Sequence, residues 1–220
     1  MELDNRFRKL SRRVQKLLVN QGFVCKGQAY WWERDRLSPT IILRRSHWNT
    51  QELCEFWFIL GVFIPELYSV VYRETPPLYP KEGYLAISLE IDSIPFYPRY
   101  SETLRWELKL SDSAEVEERL WADVSHHLQD YAIPFLDRFR TLSDTIDFLE
   151  WLRSHRDEWF KFRQILPFEA WVPIYLAVLY WMVGDREKSL RKLEAFEWEE
   201  TSWYIREHME HVRQHILGSL

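Results

Sequence analysis

The stretch Cys54-Glu55-Phe56-Trp57-Phe58-Ile59-Leu60-Gly61-Val62 decides the fold. Its even-numbered members are all apolar, whereas Glu55, Trp57, Ile59 and Gly61 make a mixed set. Side chains alternate between the two faces of a strand, so this pattern predicts a strand with one face on a core. Working outward, residues 40–46 are β-branched and apolar up to Arg44 and Arg45, and residues 28–35 open with aromatics. Downstream, Leu85, Ile87, Leu89 and Ile91 alternate with Ala86, Ser88, Glu90 and Asp92. Segments rich in proline, 73–83 (Pro76, Pro77, Pro80) and 93–101 (Pro95, Pro98), read as loops. The expectation is a small antiparallel sheet of three to four strands, covered on one face by a helix.

That helix precedes the strands. Leu3, Phe7, Leu10, Val14, Leu17 and Leu18 recur at steps of three and four, which gathers them on one stripe. Arg6, Arg8, Lys9, Arg12, Arg13 and Lys16 fall on the opposite arc, and Gly22 supplies a stop. From Ser113 the period is again helical: Val116, Leu120, Val124, Leu128 and Tyr131 share a stripe, Ser113 is the N-cap, and Pro134 is expected to break or kink the helix. Shorter helices are expected over 143–153, 155–165, 169–183, 185–196 and 201–217. The class is therefore α+β: an N-terminal helix on a sheet, then a helical C-terminal half. A boundary near 140–150 divides an α+β domain, 1–145, from a helical extension, 146–220.

Composition narrows the function. Only six glycines are present, too few for Gly-rich phosphate loops, while aromatic residues make up 16% and suit both cores and binding surfaces. Cys25 and Cys54 are the only cysteines, which gives neither a disulfide framework nor a zinc-binding Cys-x-x-Cys. The first twenty residues are charged throughout and lack the apolar block of a leader, so a cytoplasmic setting is expected. The most apolar segment, 170–183, would be a helix roughly 21 Å long, short of the ~30 Å hydrocarbon layer, and is expected to be a buried helix rather than a membrane span. The net charge of −5 divides unevenly. Residues 1–48 carry eleven basic and four acidic side chains, a local +7, and the remainder eighteen and thirty, a local −12. The simplest source of this asymmetry is a basic helix lying beside acidic neighbours in the same chain.

The first 150 residues resemble a mostly bacterial family catalogued as domain of unknown function 4304. The likeness is carried by Phe7 in a basic first helix, Gly22-Phe23, and Lys26-Gly27-Gln28 leading to Tyr30. It continues through Leu43-Arg44-Arg45-Ser46, Leu60-Gly61-Val62, Trp106 and Ile133-Pro134-Phe135-Leu136. The resemblance implies a fold and a bacterial cytosolic setting; the family has no established activity and transfers no catalytic residue. Farther on, Ala177, Tyr180, Gly184-Asp185, Ser189 and Leu193 are similar to a single helical hairpin of the tetratricopeptide type.

His208, His211 and His215 share one face of the last helix, but the outer two stand roughly 10 Å apart along a straight helix and do not converge on a tetrahedral ion. Asp123, His126 and His127 lie on one helix without a nucleophile at a recognisable offset. Glu90 and Asp92 share the open face of a strand with Ser88, where they meet either a ligand or Arg44 across strands. Lys26 beside Cys25 would lower a thiol pKa. No catalytic, cofactor or metal role is assigned. The surface that stands out is basic and aromatic: Arg8, Lys9, Arg12 and Lys16 on the helix, with Arg44, Arg45, His47 and Trp48. An acidic protein partner fits it. Single-stranded nucleic acid fits the same charge beside stackable rings, although the pI near 5.9 opposes this. The leading expectation is a non-catalytic protein-binding module, extended by analogy with small bacterial α+β proteins to an immunity-like role. A nucleic-acid-associated protein comes second and an unrecognised enzyme third.

Overall fold

The computed structural model describes residues 2–95, 97, 104–155, 171–196 and 202–219. Six antiparallel strands form one sheet: β1 (Val24–Lys26), β2 (Ala29–Trp31), β3 (Ser38–Arg45), β4 (Leu53–Phe63), β5 (Ile87–Glu90) and β6 (Trp106–Lys109). They follow in order from β1 to β5, and β6 also pairs with β4. β5 lies against residues 59–62 of β4 and β6 against residues 53–56, so the two share one edge of the longest strand. The count exceeds the three to four expected. β1 is three residues long and joins β2, the strand expected over 28–35, around Gly27 at φ +64°; a run as short as β1 shows no alternation. β6 has four residues and was hidden behind the proline-rich segment.

Cys54, Phe56, Phe58, Leu60 and Val62 are fully buried on the inner face of β4. Against them pack Leu3, Phe7, Leu10, Val14 and Leu18 of α1 (Glu2–Asn20). Removing each such side chain from water contributes roughly 1.5–3 kcal/mol. The helix α3 (Ala114–His127) packs beside α1 and β6, and the Ser113 hydroxyl accepts the Val116 N–H at its start.

Ahead of Pro134 the α-helix is interrupted without ending the helical path. The chain passes through a π turn at Leu128–Ala132, where the Ile133 N–H bonds the Leu128 carbonyl five residues back, and continues as α4 (Ile133–Asp137). A proline lacks the N–H and crowds the carbonyl four residues earlier, and the widened turn accommodates both defects.

One short helix was not anticipated: α2 (Pro65–Tyr72), which follows β4 directly with Pro65 in its first turn. The C-terminal half holds α5 (Leu142–Ser154), α6 (Val172–Met182), α7 (Arg186–Glu194) and α8 (Trp203–Gly218). The helix expected over 155–165 falls almost wholly outside the described residues. Nine of the eleven α6 residues are buried, and among the described residues no helix is long and apolar enough to cross a membrane. The α6–α7 hairpin turns at Gly184, φ +82°, and the Ser189 hydroxyl donates to the Ala177 carbonyl at 2.8 Å. Both α6 and α8 pack on α2, and one apolar cluster runs from α1 and the sheet into these helices.

Candidate partner-binding surface

The cations of α1 divide into two sets by their angle around the helix. Arg6 and Arg13 turn toward α3: Arg6 pairs with Glu117 at 3.1 Å and with Glu2, and Arg13 grips both Glu118 oxygens at 2.6 and 2.8 Å while lying over the Trp121 ring. Arg13 holds the Glu118 carboxyl below its ordinary range. The intramolecular pairing expected from the charge asymmetry is therefore present, but it accounts for only part of the stripe. Arg8, Lys9, Arg12 and Lys16 stand on the outer face, exposed and without an ion pair to any described residue.

The turn between β3 and β4 extends this surface at one end. Arg45 lies on the inner side of the sheet, over the Phe7 ring at 4.6 Å and paired with Asp4 at 3.2 Å, which fixes the turn beside the first half of α1. Trp48 in that turn is 80% exposed, its ring 4.6 Å from His47. Arg44 is not part of the same surface. It pairs opposite Trp57 in the β3–β4 register, on the far face of the sheet from α1, and its partner is Glu82 at 2.8 Å.

That far face holds the most buried charge among the described residues. Glu90 is 6% exposed, and Arg105 grips it through two contacts of 2.5 and 2.8 Å while lying over the Trp57 ring at 4.3 Å. Burial pushes the Glu90 carboxyl above its ordinary range, with the two Arg105 contacts pulling the other way. Asp92 accepts the Leu104 N–H at 2.8 Å. The two carboxylates thus staple the point where the chain leaves the sheet after β5 to the point where it returns before β6, rather than meeting Arg44. Arg105 escaped the sequence reading because it follows a proline-rich segment; its position one residue before the apolar alternation of β6 was the available signal.

Residues 14–138, well over half of the chain, match the family model described as a domain of unknown function, DUF4304. The chain belongs to the DUF4304 family. The match covers all six strands, α2, α3 and α4 but only residues 14–20 of α1, so the far-face ion pair lies within the DUF4304 match, whereas of the α1 cations only Lys16 does. No curated protein and no solved structure matches the chain.

Beyond the DUF4304 match, the α8 histidines find a structural use. The last carbonyls of a helix lack partners within it. At the end of α2 the Ser69 carbonyl takes the Arg73 N–H, the Val71 carbonyl lies 2.8 Å from His208 Nδ1, and His211 borders the same groove as Val70. Burial, the Arg73 charge and His215 lower the His211 pKa. A lowered folded value means that the fold favours the neutral ring, so its stability is complete above the ordinary value of 6.5 and is lost as pH falls below it. The melting temperature should therefore drop between about pH 7.5 and 5.5, and His211→Gln should flatten part of that drop; an equal acid drop in the variant would refute the assignment.

Other candidates resolve plainly. His127 is buried with Nδ1 2.8 Å from the Asp123 carbonyl, whereas His126 is exposed and pairs with Asp130. Cys54 is core. Burial pushes the half-buried Cys25 thiol up, against the lowering expected from Lys26, because the Lys26 ammonium lies over the Tyr79 ring instead.

Proposed function

We propose that this DUF4304 chain is a non-catalytic, cytoplasmic protein-binding module that takes an acidic protein segment along the outer face of α1. The observation that carries this reading is the division of the α1 cations. Arg6 and Arg13 are neutralised by α3, while Arg8, Lys9, Arg12 and Lys16 are left exposed. Arg8, Arg12 and Lys16 recur every four residues, about 6 Å apart along the axis, which matches carboxylates at the same spacing on a partner helix. Trp48, exposed in the turn whose Arg45 contacts Phe7 and Asp4, is the kind of rigid aromatic that anchors interfaces. Arg45, stacked on Phe7, holds the turn that presents it. The immunity-like form of the role, in which the partner is a toxin, rests on analogy of fold and setting.

The test changes Arg8, Lys9, Arg12 and Lys16 together to Gln in the full chain. Stability should barely move, because isolated surface charges contribute about 0–1 kcal/mol each. Retention of a captured acidic partner should be lost in this variant and weakened in Trp48→Ala. A mixed single-stranded oligonucleotide should be ignored at physiological salt. A micromolar complex with DNA or RNA whose affinity falls steeply with salt, and which the four changes abolish, would replace this reading by nucleic-acid binding.

A further inference from the structure

Two features have no part in the α1 surface. One is the tip of the strap that crosses the far face of the sheet, Thr75-Pro76-Pro77-Leu78-Tyr79-Pro80-Lys81. Leu78 is 98% exposed at that tip. The sequence would suit a polyproline ligand for an aromatic groove, but the structure has already engaged the tyrosine. The Tyr79 ring stacks on Trp31 with centroids 6.2 Å apart, the Lys26 and Lys81 ammoniums lie over it at 4.5 and 5.3 Å, and Pro80 is buried. Prolines and the Tyr79 anchor hold Leu78 outward, so little conformational freedom remains to be lost when it docks. The tip is an apolar knob beside two cations.

The other feature is a cavity of about 330 Å³, lined among the described residues by Pro95, Phe139, Phe148 and Trp151, with Asp144, Asp147 and Arg138 also bordering it. Phe139 and Phe148 meet edge to face at 5.3 Å, and Trp151 stacks on Phe148 at 6.0 Å. Asp144 is occupied by the α5 cap, but Asp147 is exposed and has no ion pair to a described residue. This is an apolar pocket with a free carboxylate at its edge.

We propose that the occupant is a second copy of this chain: Leu78 of one copy seats against Phe148 and Trp151 of the other, with Lys81 beside Asp147. Knob and pocket are both apolar and opposite in sign, since the knob is flanked by ammoniums and the pocket by a carboxylate. Arg138 on the same rim opposes Lys81, which places the lysine on the Asp147 side. Each chain carries both features, which permits the reciprocated contact of a closed two-fold pair; an unreciprocated one would run on into filaments. The α1 surface is not used, so failure of either proposal leaves the other standing.

Sedimentation of the full chain across roughly micromolar to millimolar concentration should show a monomer–dimer equilibrium, the range of a small transient contact. Leu78→Asp should remain monomeric throughout with an unchanged melting temperature. Lys81→Asp and Asp147→Lys should each weaken the dimer by roughly tenfold, and the two together should restore it, because the charges are exchanged rather than lost. A monomer at every concentration, a dimer indifferent to Leu78→Asp, or species growing beyond two chains would each overturn the proposal.

Discussion

Arg105→Ala should destabilise the protein by about 3–5 kcal/mol, far more than the loss of a surface ion pair. Arg105 is the two-contact partner of a carboxylate that is 6% exposed, and it covers the Trp57 ring as well. Without it, Glu90 loses the two-contact cation that offsets its lost hydration, and the stacking contact is gone too. Two further measurements separate the buried charge from lost packing. Arg105→Ala combined with Glu90→Gln should recover much of the loss, since the stranded charge is removed with its partner. The single variant should also gain stability on acidification. Burial raises the Glu90 pKa in the fold, so the contribution of the protonated carboxyl is complete below its ordinary value of 4.5 and is lost as pH rises through the raised folded value. Urea unfolding at neutral and mildly acidic pH reads both effects. A loss under about 1 kcal/mol in Arg105→Ala, indifferent to pH, would show that water reaches Glu90 and that the pair is an ordinary surface contact.

What could be read from the sequence follows the length of each signal. The α1 stripe and the β4 alternation each span enough residues for the period to show, and both are present with the expected residues inward. The buried helix near 170–183 was equally plain, because α6 is apolar on nearly every side. The strands that escaped, β1 and β6, are three and four residues long, below the span at which alternation can be recognised. Pro134 marked an interruption of the helix, but its form, a π turn over Leu128–Ala132, is an accommodation that local rules do not contain. The candidate surface was legible in part. Helical periodicity placed Arg8, Lys9, Arg12 and Lys16 on one face, but grouping Arg44 with Arg45 overlooked strand alternation, which sends adjacent residues of β3 to opposite faces. The Glu90–Arg105 pair depends on contact between residues on either side of a long excursion, and pairing at that range is not written in any local pattern.

Gly61→Ala should be the other severe substitution, at about 3 kcal/mol or more, with Gly61→Val worse still. In the β4 alternation Gly61 reads as a small member of the mixed face, and the structure gives the reason for its size. A Cβ there would stand 2.3 Å from the Ile87 carbonyl oxygen and 2.6 Å from Leu85 Cδ1. The first of these is backbone of the neighbouring strand, so no side-chain rotation relieves it; β5 must move away from β4. That movement would reach beyond one strand. β5 carries Glu90, and the strap that ends at Leu85 carries Glu82, the partner of Arg44. Amide hydrogen exchange should therefore show protection lost first over residues 85–90, while the β3–β4 ladder away from this contact keeps its protection. Gly83→Ala is the control: it lies in the same strap with nothing within 4 Å of the added atom, and its effect should stay within about 0.5 kcal/mol. A Gly61→Ala protein as stable as the wild type, with residues 87–90 still protected, would mean that β5 does not lie as close to β4 as the structure places it.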